Sequence, residues 1–252
     1  NTGTTSPRSV TQFGDGDLFY LDESGVRSLR ARAAYSLASS TDIGIPVDTL
    51  VQEQLRALSE DEKLKCFGLI EPTDGRFWLT MKDKIFVLSA FPGSKVQAWT
   101  TYTPKVSVSG VLTTRNIEEA VRFHRKLYFR SVLYIFVYAG TGASPTYDET
   151  EPDVWLPYLD AGAPALPKDM TSLDVACEGR WLVSVGADPT DTAVEDPAVQ
   201  VWQTTYKTQQ IGYDLQSTHF SVRLRGVPGV AGPRKIGALT IHYAGEDKAE
   251  QK

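Results

Sequence analysis

The sequence predicts an all-β protein: a β-propeller, partial in this chain with about three four-stranded blades, one short amphipathic helix and a C-terminal β-hairpin. Three observations predict this class. Short runs rich in β-branched and aromatic residues alternate with Gly, Pro and Asp turn signals. Two motifs recur about a hundred positions further along the chain. Tryptophans mark intervals of about fifty residues, a period typical of propeller blades.

The recurring motifs define the predicted blades. Residues 75–79 (Gly-Arg-Phe-Trp-Leu) resemble residues 179–182 (Gly-Arg-Trp-Leu), and residues 96–102 resemble residues 199–206 in the pattern Val-Gln-x-Trp. A looser copy between them has inner strands at 127–129 and 133–138 and a last strand at 154–158. The fold-defining residues would be Gly75, Trp78, Trp99, Trp155, Gly179, Trp181 and Trp202. The alternative is that these are unrelated aromatic strands of a sandwich.

The elements follow in order along the chain. Residues 17–21 and 26–32 flank the turn Asp22-Glu23-Ser24-Gly25 and predict a hairpin, and apolar residues recur at helical spacing from Val47 to Leu58. Alternation of Phe220, Val222 and Leu224 with polar neighbours predicts a strand before the last one at 235–243. The predicted organisation is: hairpin and linker 1–45, helix 46–62, propeller 63–207 with blades 63–104, 105–160 and 170–207, C-terminal strands 208–243 and flexible tail 244–252.

Composition excludes some classes of function. The formal net charge of −5 argues against a protein that holds nucleic acid through a broad basic surface, although DNA could still slide through a channel. No apolar stretch approaches the ~20 residues that a membrane helix needs, so we expect no membrane contact. Cys66 and Cys177 lie inside apolar runs and are expected to be small buried side chains rather than a disulfide framework.

No motif for catalysis is found. The chain has no phosphate-binding loop, nucleophile elbow or dinucleotide fingerprint, and His124, His219 and His242 lack metal-ligand spacing. We therefore expect no enzyme activity, no cofactor, no metal and no catalytic residues. One basic region is a candidate subunit interface or DNA-facing surface, with the interface preferred: Arg115, Arg122, Arg125, Lys126 and Arg130. The acidic loops 147–153 and 188–196 either line a passage that repels DNA or are simply solvated.

Several patches resemble tail nozzle proteins of short-tailed bacteriophages, also called tail tubular protein B or packaged-DNA stabilisation proteins. The patches are residues 16–32, 42–48, 74–78 with 91–96, and 219–226. Family members are usually longer, and these motifs resemble their later portion. The resemblance implies a hexamer below the portal-adaptor ring, with tail fibres or spikes as further partners and transient DNA in its channel. It implies a virion protein assembled in the host cytoplasm, with no catalytic residues.

Two other functions stay open. A glycan-binding or glycan-cleaving propeller is motivated by aromatic residues beside carboxylates: Tyr147, Trp155 and Tyr158 with Asp148, Glu149, Glu151 and Asp153. Since a glycosidase pair is defined by its separation in space, the sequence does not test it. The third function is a cellular scaffold propeller.

Overall fold

A computed structural model describes residues 3–34, 42–71, 75–91, 96–108, 111–124, 126–138, 151–202, 210–230 and 234–245. This part of the chain consists mainly of antiparallel strands with few helices, so the predicted all-β class is confirmed. The chain divides into two compact units, Asn1–Thr150 and Glu151–Lys252, here called the N-terminal and C-terminal units. No helix among the described residues has the length and apolar character needed to cross a membrane.

The N-terminal unit begins with a small antiparallel sheet that contains the predicted hairpin, but the second strand, predicted for 26–32, ends at Ser28 and a helix follows. Its elements are β1 (Thr11–Phe13), β2 (Asp17–Asp22), β3 (Gly25–Ser28) and then the helix α1 (Leu29–Ala34). Strand β2 pairs with both of its neighbours. Gly25 has a φ of 137°, and a Cβ at this position would collide with the Asp48 carboxylate. Both constraints require glycine at the end of the turn.

The helical pattern at residues 46–62 forms two helices, α2 (Asp48–Ala57) and α3 (Glu60–Lys65). Val51 and Leu55 bury one face of α2. Leu58 is extended and ends α2. Ser59 then starts α3 with a capping box: its hydroxyl accepts from the Glu62 N–H, and the Glu62 carboxylate accepts from the Ser59 N–H. The predicted helix is divided because this local start signal competes with continuation of α2.

A four-stranded sheet forms the centre of the N-terminal unit and lies within residues 63–104, the first predicted blade. It runs in chain order through β4 (Phe67–Ile70), β5 (Phe77–Met81), β6 (Lys84–Phe91) and β7 (Val96–Tyr102). Side chains of β5 alternate between its two faces. Phe77 and Leu79 pack with the N-terminal hairpin and α2. Trp78 faces the opposite side and belongs to a second core.

The remaining strands of this unit form a hairpin and a three-stranded sheet. They are β8 (Lys105–Val108), β9 (Val111–Thr114), β10 (Glu119–Phe123), β11 (Lys126–Ser131) and β12 (Tyr134–Val137). Leu127 and Phe129 of β11 are buried in the core that contains Trp78. The Trp78 and Phe129 rings stack with centroids 5.9 Å apart. The inner face of this sheet therefore packs on the four-stranded sheet.

The C-terminal unit consists of two sheets. Its strands are β13 (Asp153–Trp155), β14 (Lys168–Glu178), β15 (Trp181–Gly186), β16 (Val199–Val201), β17 (Ile211–Ser217), β18 (Ser221–Gly226) and β19 (Lys235–Gly245). One sheet has the order β13-β18-β15-β16 and the other the order β17-β14-β19. Apolar residues from both sheets, among them Leu173, Val183 and Leu224, form one core. This arrangement is that of a sandwich.

Strand pairing corrects the predicted second and third blades. Trp155, expected to close the second blade, lies on β13 and pairs with β18 of the C-terminal unit. Strands β14 and β15, expected as neighbours in the third blade, belong to different sheets. The motif strands also differ: β5 and β7 are separated by β6, whereas β15 and β16 pair directly. The Trp99 and Trp202 segments are therefore not equivalent.

The reason lies in what the repeated motifs encode. Gly75 and Gly179 both have positive φ, 69° and 82°, immediately before an aromatic strand. The motif thus specifies a local turn and strand, while pairing partners depend on distant segments. The predicted C-terminal β-hairpin is wrong for the same reason, since β18 pairs with β13 and β15 while β19 pairs with β14. Most of the predicted flexible tail, residues 244–252, lies outside the described residues.

Candidate functional site

The predicted fold-defining tryptophans occupy three kinds of position. Trp78 and Trp181 are buried in the cores of their units. Trp99 is half-buried, and its indole N–H donates to the Ile43 carbonyl at 2.7 Å. Trp155 and Trp202 are 47% and 53% exposed. The first three fix packing, whereas the last two are available to a ligand or partner.

The predicted basic region lies mainly on the sheet β10–β11–β12, but its members have different environments. Arg130 forms ion pairs with Glu118 and Glu119 at 2.7 and 3.2 Å. The Arg115 guanidinium lies over the Tyr134 ring, 5.3 Å from its centroid. Arg122 and Lys126 are exposed at the end of the β10–β11 hairpin, and Arg125 lies outside the described residues. The region is therefore not one continuous set of unpaired cations in the part of the chain that the structure describes.

The same sheet has an apolar outer face. Here "outer face" means the side opposite Leu127 and Phe129, which carries the apolar side chains of Val121, Phe123, Tyr128 and Ile135 and also the charged side chains of Glu119, Lys126 and Arg130. Val121, Phe123 and Ile135 are each 58–63% exposed. No described strand pairs with the free edges of β10 and β12. Exposed apolar side chains bordered by charged ones, on a sheet with open edges, are typical of an interaction surface.

The turn between β11 and β12 extends this apolar surface. Ser131 pairs with Tyr134, so Val132 and Leu133 form the two-residue tip of the hairpin. They are 63% and 88% exposed. Val132 has a φ of 50°, a left-handed conformation that is unfavourable for a β-branched residue. Turn sequences that favour folding place Gly, Asn or Asp in such tips. The tip Val132–Leu133 therefore exposes apolar side chains to solvent and holds Val132 in an unfavourable backbone conformation.

The predicted strands 127–129 and 133–138 imply a reversal between them, but Leu133 was assigned to the second strand and lies in the tip instead. The tip has no Gly, Pro, Asn or Asp to mark its position in the sequence. The length of the apolar run that begins at Val132 was the only feature of the sequence that could have indicated a turn inside it. The strand β12 begins later, at Tyr134.

A second surface lies on the C-terminal unit, around Trp155. The Arg223 guanidinium lies over the indole ring, 5.0 Å from its centroid. Arg223 binds both Asp153 carboxylate oxygens, at 2.9 and 2.6 Å, and also Glu195, at 3.0 Å. Ser184 donates to Glu195 at 2.6 Å. The network joins strands β13, β15 and β18 with the loop before β16.

The charges of this network stabilise one another. Hydrogen bonding to Arg223 lowers the pKa of Asp153. For Glu195, burial favours the neutral acid, but hydrogen bonds from Ser184 and Arg223 outweigh it and lower its pKa. Hydrogen bonds to both carboxylates raise the pKa of Arg223. Both carboxylates are therefore ionised at neutral pH, and neither can act as the general acid that a glycosidase needs.

The other candidate groups have different environments. Tyr158 lies in the C-terminal unit, whereas Tyr147, Asp148 and Glu149 are outside the described residues. His124 contacts the Phe123 ring, His219 contacts the Thr218 hydroxyl, and the His242 ring lies 2.8 Å from Asp174. Among the described residues, no three His, Cys, Asp or Glu side chains come together in a way that could hold a metal ion.

Cys66 and Cys177 are both buried, as expected. Burial raises the pKa of Cys66 to about 12, so its thiol stays protonated. A protonated, buried thiol is a poor nucleophile.

Comparisons with known proteins give no family. A scan of the chain against models of known protein families found no match, and a search among curated proteins also found none.

Proposed function

We propose that the chain is a structural piece of a virus particle, a segment of the tail nozzle of a short-tailed bacteriophage, and that it is not an enzyme. The observation that carries the proposal is the exposed apolar surface formed by the tip Val132–Leu133 and the outer face. A strained, apolar hairpin tip costs stability in an isolated chain. Its presence is reasonable if a neighbouring protein covers it. The sequence patches that resemble nozzle proteins supply the identity of the assembly.

The partner that fits this surface is a second copy of the chain. A heterologous contact, in which the tip of one copy packs on a different surface of the next, closes into a ring when the rotation between copies allows it. The resemblance gives six copies for that ring. The exposed cation Lys126 on the outer face favours an acidic counterpart, and the chain as a whole carries a net charge of −5.

We propose propeller blades in the N-terminal unit only. The sheet β4–β7 has the chain-order strand sequence of a blade. The sheet β10–β11–β12 packs on it face to face through Trp78 and Phe129, as successive blades do. A complete propeller would need blades beyond these two sheets. The C-terminal unit would then be a separate sandwich attached to it.

The proposed role is mechanical and electrostatic. The ring would surround the channel that retains packaged DNA and conducts it during ejection, below the portal-adaptor ring and in contact with fibres or spikes. A net negative chain holds DNA weakly, because tight binding needs Lys and Arg to neutralise phosphates. Weak binding would allow DNA to move through the channel. The protein would be located in the virion tail after assembly in the host cytoplasm.

Sedimentation of the purified full chain tests the proposal. We expect a species of six chains for the wild type, and a shift towards single chains for Leu133→Ser, which removes the apolar tip. Val194→Ser is the matched control, because Val194 is 57% exposed and lies in a loop of the C-terminal unit. It is expected to sediment like the wild type. A wild-type chain that stays monomeric at its solubility limit and does not enter particles would overturn the proposal.

A further inference from the structure

The surface around Trp155 has features that assembly through the hairpin tip does not explain. Trp155 lies on the edge strand β13, directly opposite Arg223 of β18. Its indole N–H donates to the Ser221 hydroxyl at 2.7 Å, and that hydroxyl donates to the Leu156 carbonyl at 2.7 Å. The ring orientation is therefore fixed from within the protein, although 47% of the residue remains in solvent.

The groups beside the ring are also held in place. Arg223 is fixed by a two-pronged contact with Asp153 and a third bond to Glu195, and its guanidinium stacks on the indole. These polar groups need no rearrangement to meet a ligand. The ring and the donors and acceptors beside it are therefore ordered before any ligand binds, which reduces the entropy cost of binding.

The charges select the class of ligand. Arg223 and Arg225 face the carboxylates of Asp153 and Glu195, so the two pairs balance. Asp188 and Asp191 add negative charge close enough to raise the pKa of Tyr158, after burial, which is the largest cause. A polyanion would be repelled here, and a cation would have to compete with the arginines. A neutral ligand rich in hydroxyl groups fits.

Tyr158 extends the polar rim. Its hydroxyl lies over the backbone of β15 at Gly186, where a Cβ would come within 2.8 Å of it. Because its pKa is raised, the phenol stays protonated and can both donate and accept hydrogen bonds. Gly186 thus makes room for a hydroxyl on the same face as Trp155.

We propose that this surface binds a neutral saccharide. One pyranose ring stacks its C–H face on the part of the Trp155 indole that Arg223 leaves in solvent, and its hydroxyls bond to the open positions of Asp153, Glu195 and Arg223. Binding occurs without hydrolysis, since both carboxylates are ionised and neither can supply the proton that a leaving group needs. The site uses the C-terminal unit only and does not depend on the proposed function.

Binding of defined neutral hexasaccharides to the full chain tests this inference. Maltohexaose, cellohexaose and mannohexaose serve as probes, with dextran sulfate as the polyanion, and calorimetry measures affinity. We expect at least one neutral probe to bind, and Trp155→Ala to weaken it by about tenfold or more, equivalent to about 1.4 kcal/mol. Trp202→Ala is the matched control, because Trp202 is similarly exposed but outside the network. It is expected to bind like the wild type.

A second variant protects the test against misfolding. Asp153→Asn keeps the indole but releases Arg223 from its two-pronged bond, and it is expected to weaken the same probe. The inference is overturned if no neutral hexasaccharide binds the wild type. It is also overturned if Trp155→Ala and Asp153→Asn bind as the wild type does, or if only dextran sulfate binds. None of these results bears on sedimentation, so the proposed function is judged separately.

Discussion

Replacing Val132 by glycine is expected to stabilise the isolated chain while weakening its assembly. At a φ of 50°, an L-residue is disfavoured by about 1–2 kcal/mol, whereas glycine adopts this conformation readily. Glycine loses more backbone entropy on folding than valine does, and this loss offsets about 0.5–1 kcal/mol of that gain. Val132 is 63% exposed, so little burial is lost. The net gain is about 1 kcal/mol, or roughly 2–4 °C in Tm.

The same change removes an apolar contact from the proposed interface. Full burial of a valine side chain contributes about 1.5–3 kcal/mol. A loss of about 2 kcal/mol corresponds to about 30-fold weaker association at each contact. Stability and assembly are therefore expected to move in opposite directions. That result would indicate a residue kept for association at a cost to folding.

The assay combines thermal unfolding of dilute, dissociated chain with sedimentation of concentrated chain, because association itself stabilises the folded state. Val111→Gly is the matched control: Val111 is 64% exposed but lies in strand β9 without a positive φ. It is expected to lose stability. Equal destabilisation of both variants would refute the reasoning about backbone strain. Unchanged sedimentation of Val132→Gly would remove the tip from the interface.

Three further predictions concern stability. Arg27→Met is expected to lower the free energy of unfolding in urea by about 3–5 kcal/mol, because three carboxylates lose their shared buried partner. Arg8→Met is the control at an exposed ion pair and is expected to cost under about 1 kcal/mol. Equal effects of the two substitutions would contradict this prediction. Folding lowers the pKa of Asp153 and Glu195, so the stability that these carboxylates contribute is complete above about pH 4.5 and is lost as pH falls through the folded pKa values. Below about pH 4.5 the wild type is expected to lose more stability than a variant with both residues changed to amides. Parallel curves of stability against pH would contradict the prediction. Lys168→Met is expected to cost about 2 kcal/mol in thermal unfolding, because the buried Lys168 ammonium donates to three backbone carbonyls that would lose their donor, and an unchanged Tm would disprove that role.

Turn and capping residues that act locally made the main elements of the N-terminal unit predictable from the sequence. The turn ending at Gly25 predicts the β2–β3 hairpin because only glycine fits the last position. The strands β5 to β7 follow because short turns join consecutive antiparallel strands. The division of the helix at Leu58 was recognisable in principle, since Ser59 and Glu62 form a capping-box pattern.

The C-terminal unit could not be derived in the same way. Strand β14 passes Gly179 into β15, which belongs to the other sheet, and nothing local distinguishes this from a hairpin. The Trp155 surface depends on partners about forty and seventy residues away, Glu195 and Arg223. The buried pairing of Arg27 with Asp48 likewise joins separate segments. Such sites are defined by folding and leave no periodic trace in the sequence.

Thiol reactivity of Leu133→Cys tests the central claim most directly. The native cysteines are buried, so a maleimide would report on the tip alone. Reaction is expected to be fast in the dissociated chain and slower by about tenfold or more in assembled particles, because a neighbouring subunit would cover the tip. Equal rates in the two states would contradict the claim that the tip Val132–Leu133 is an assembly contact.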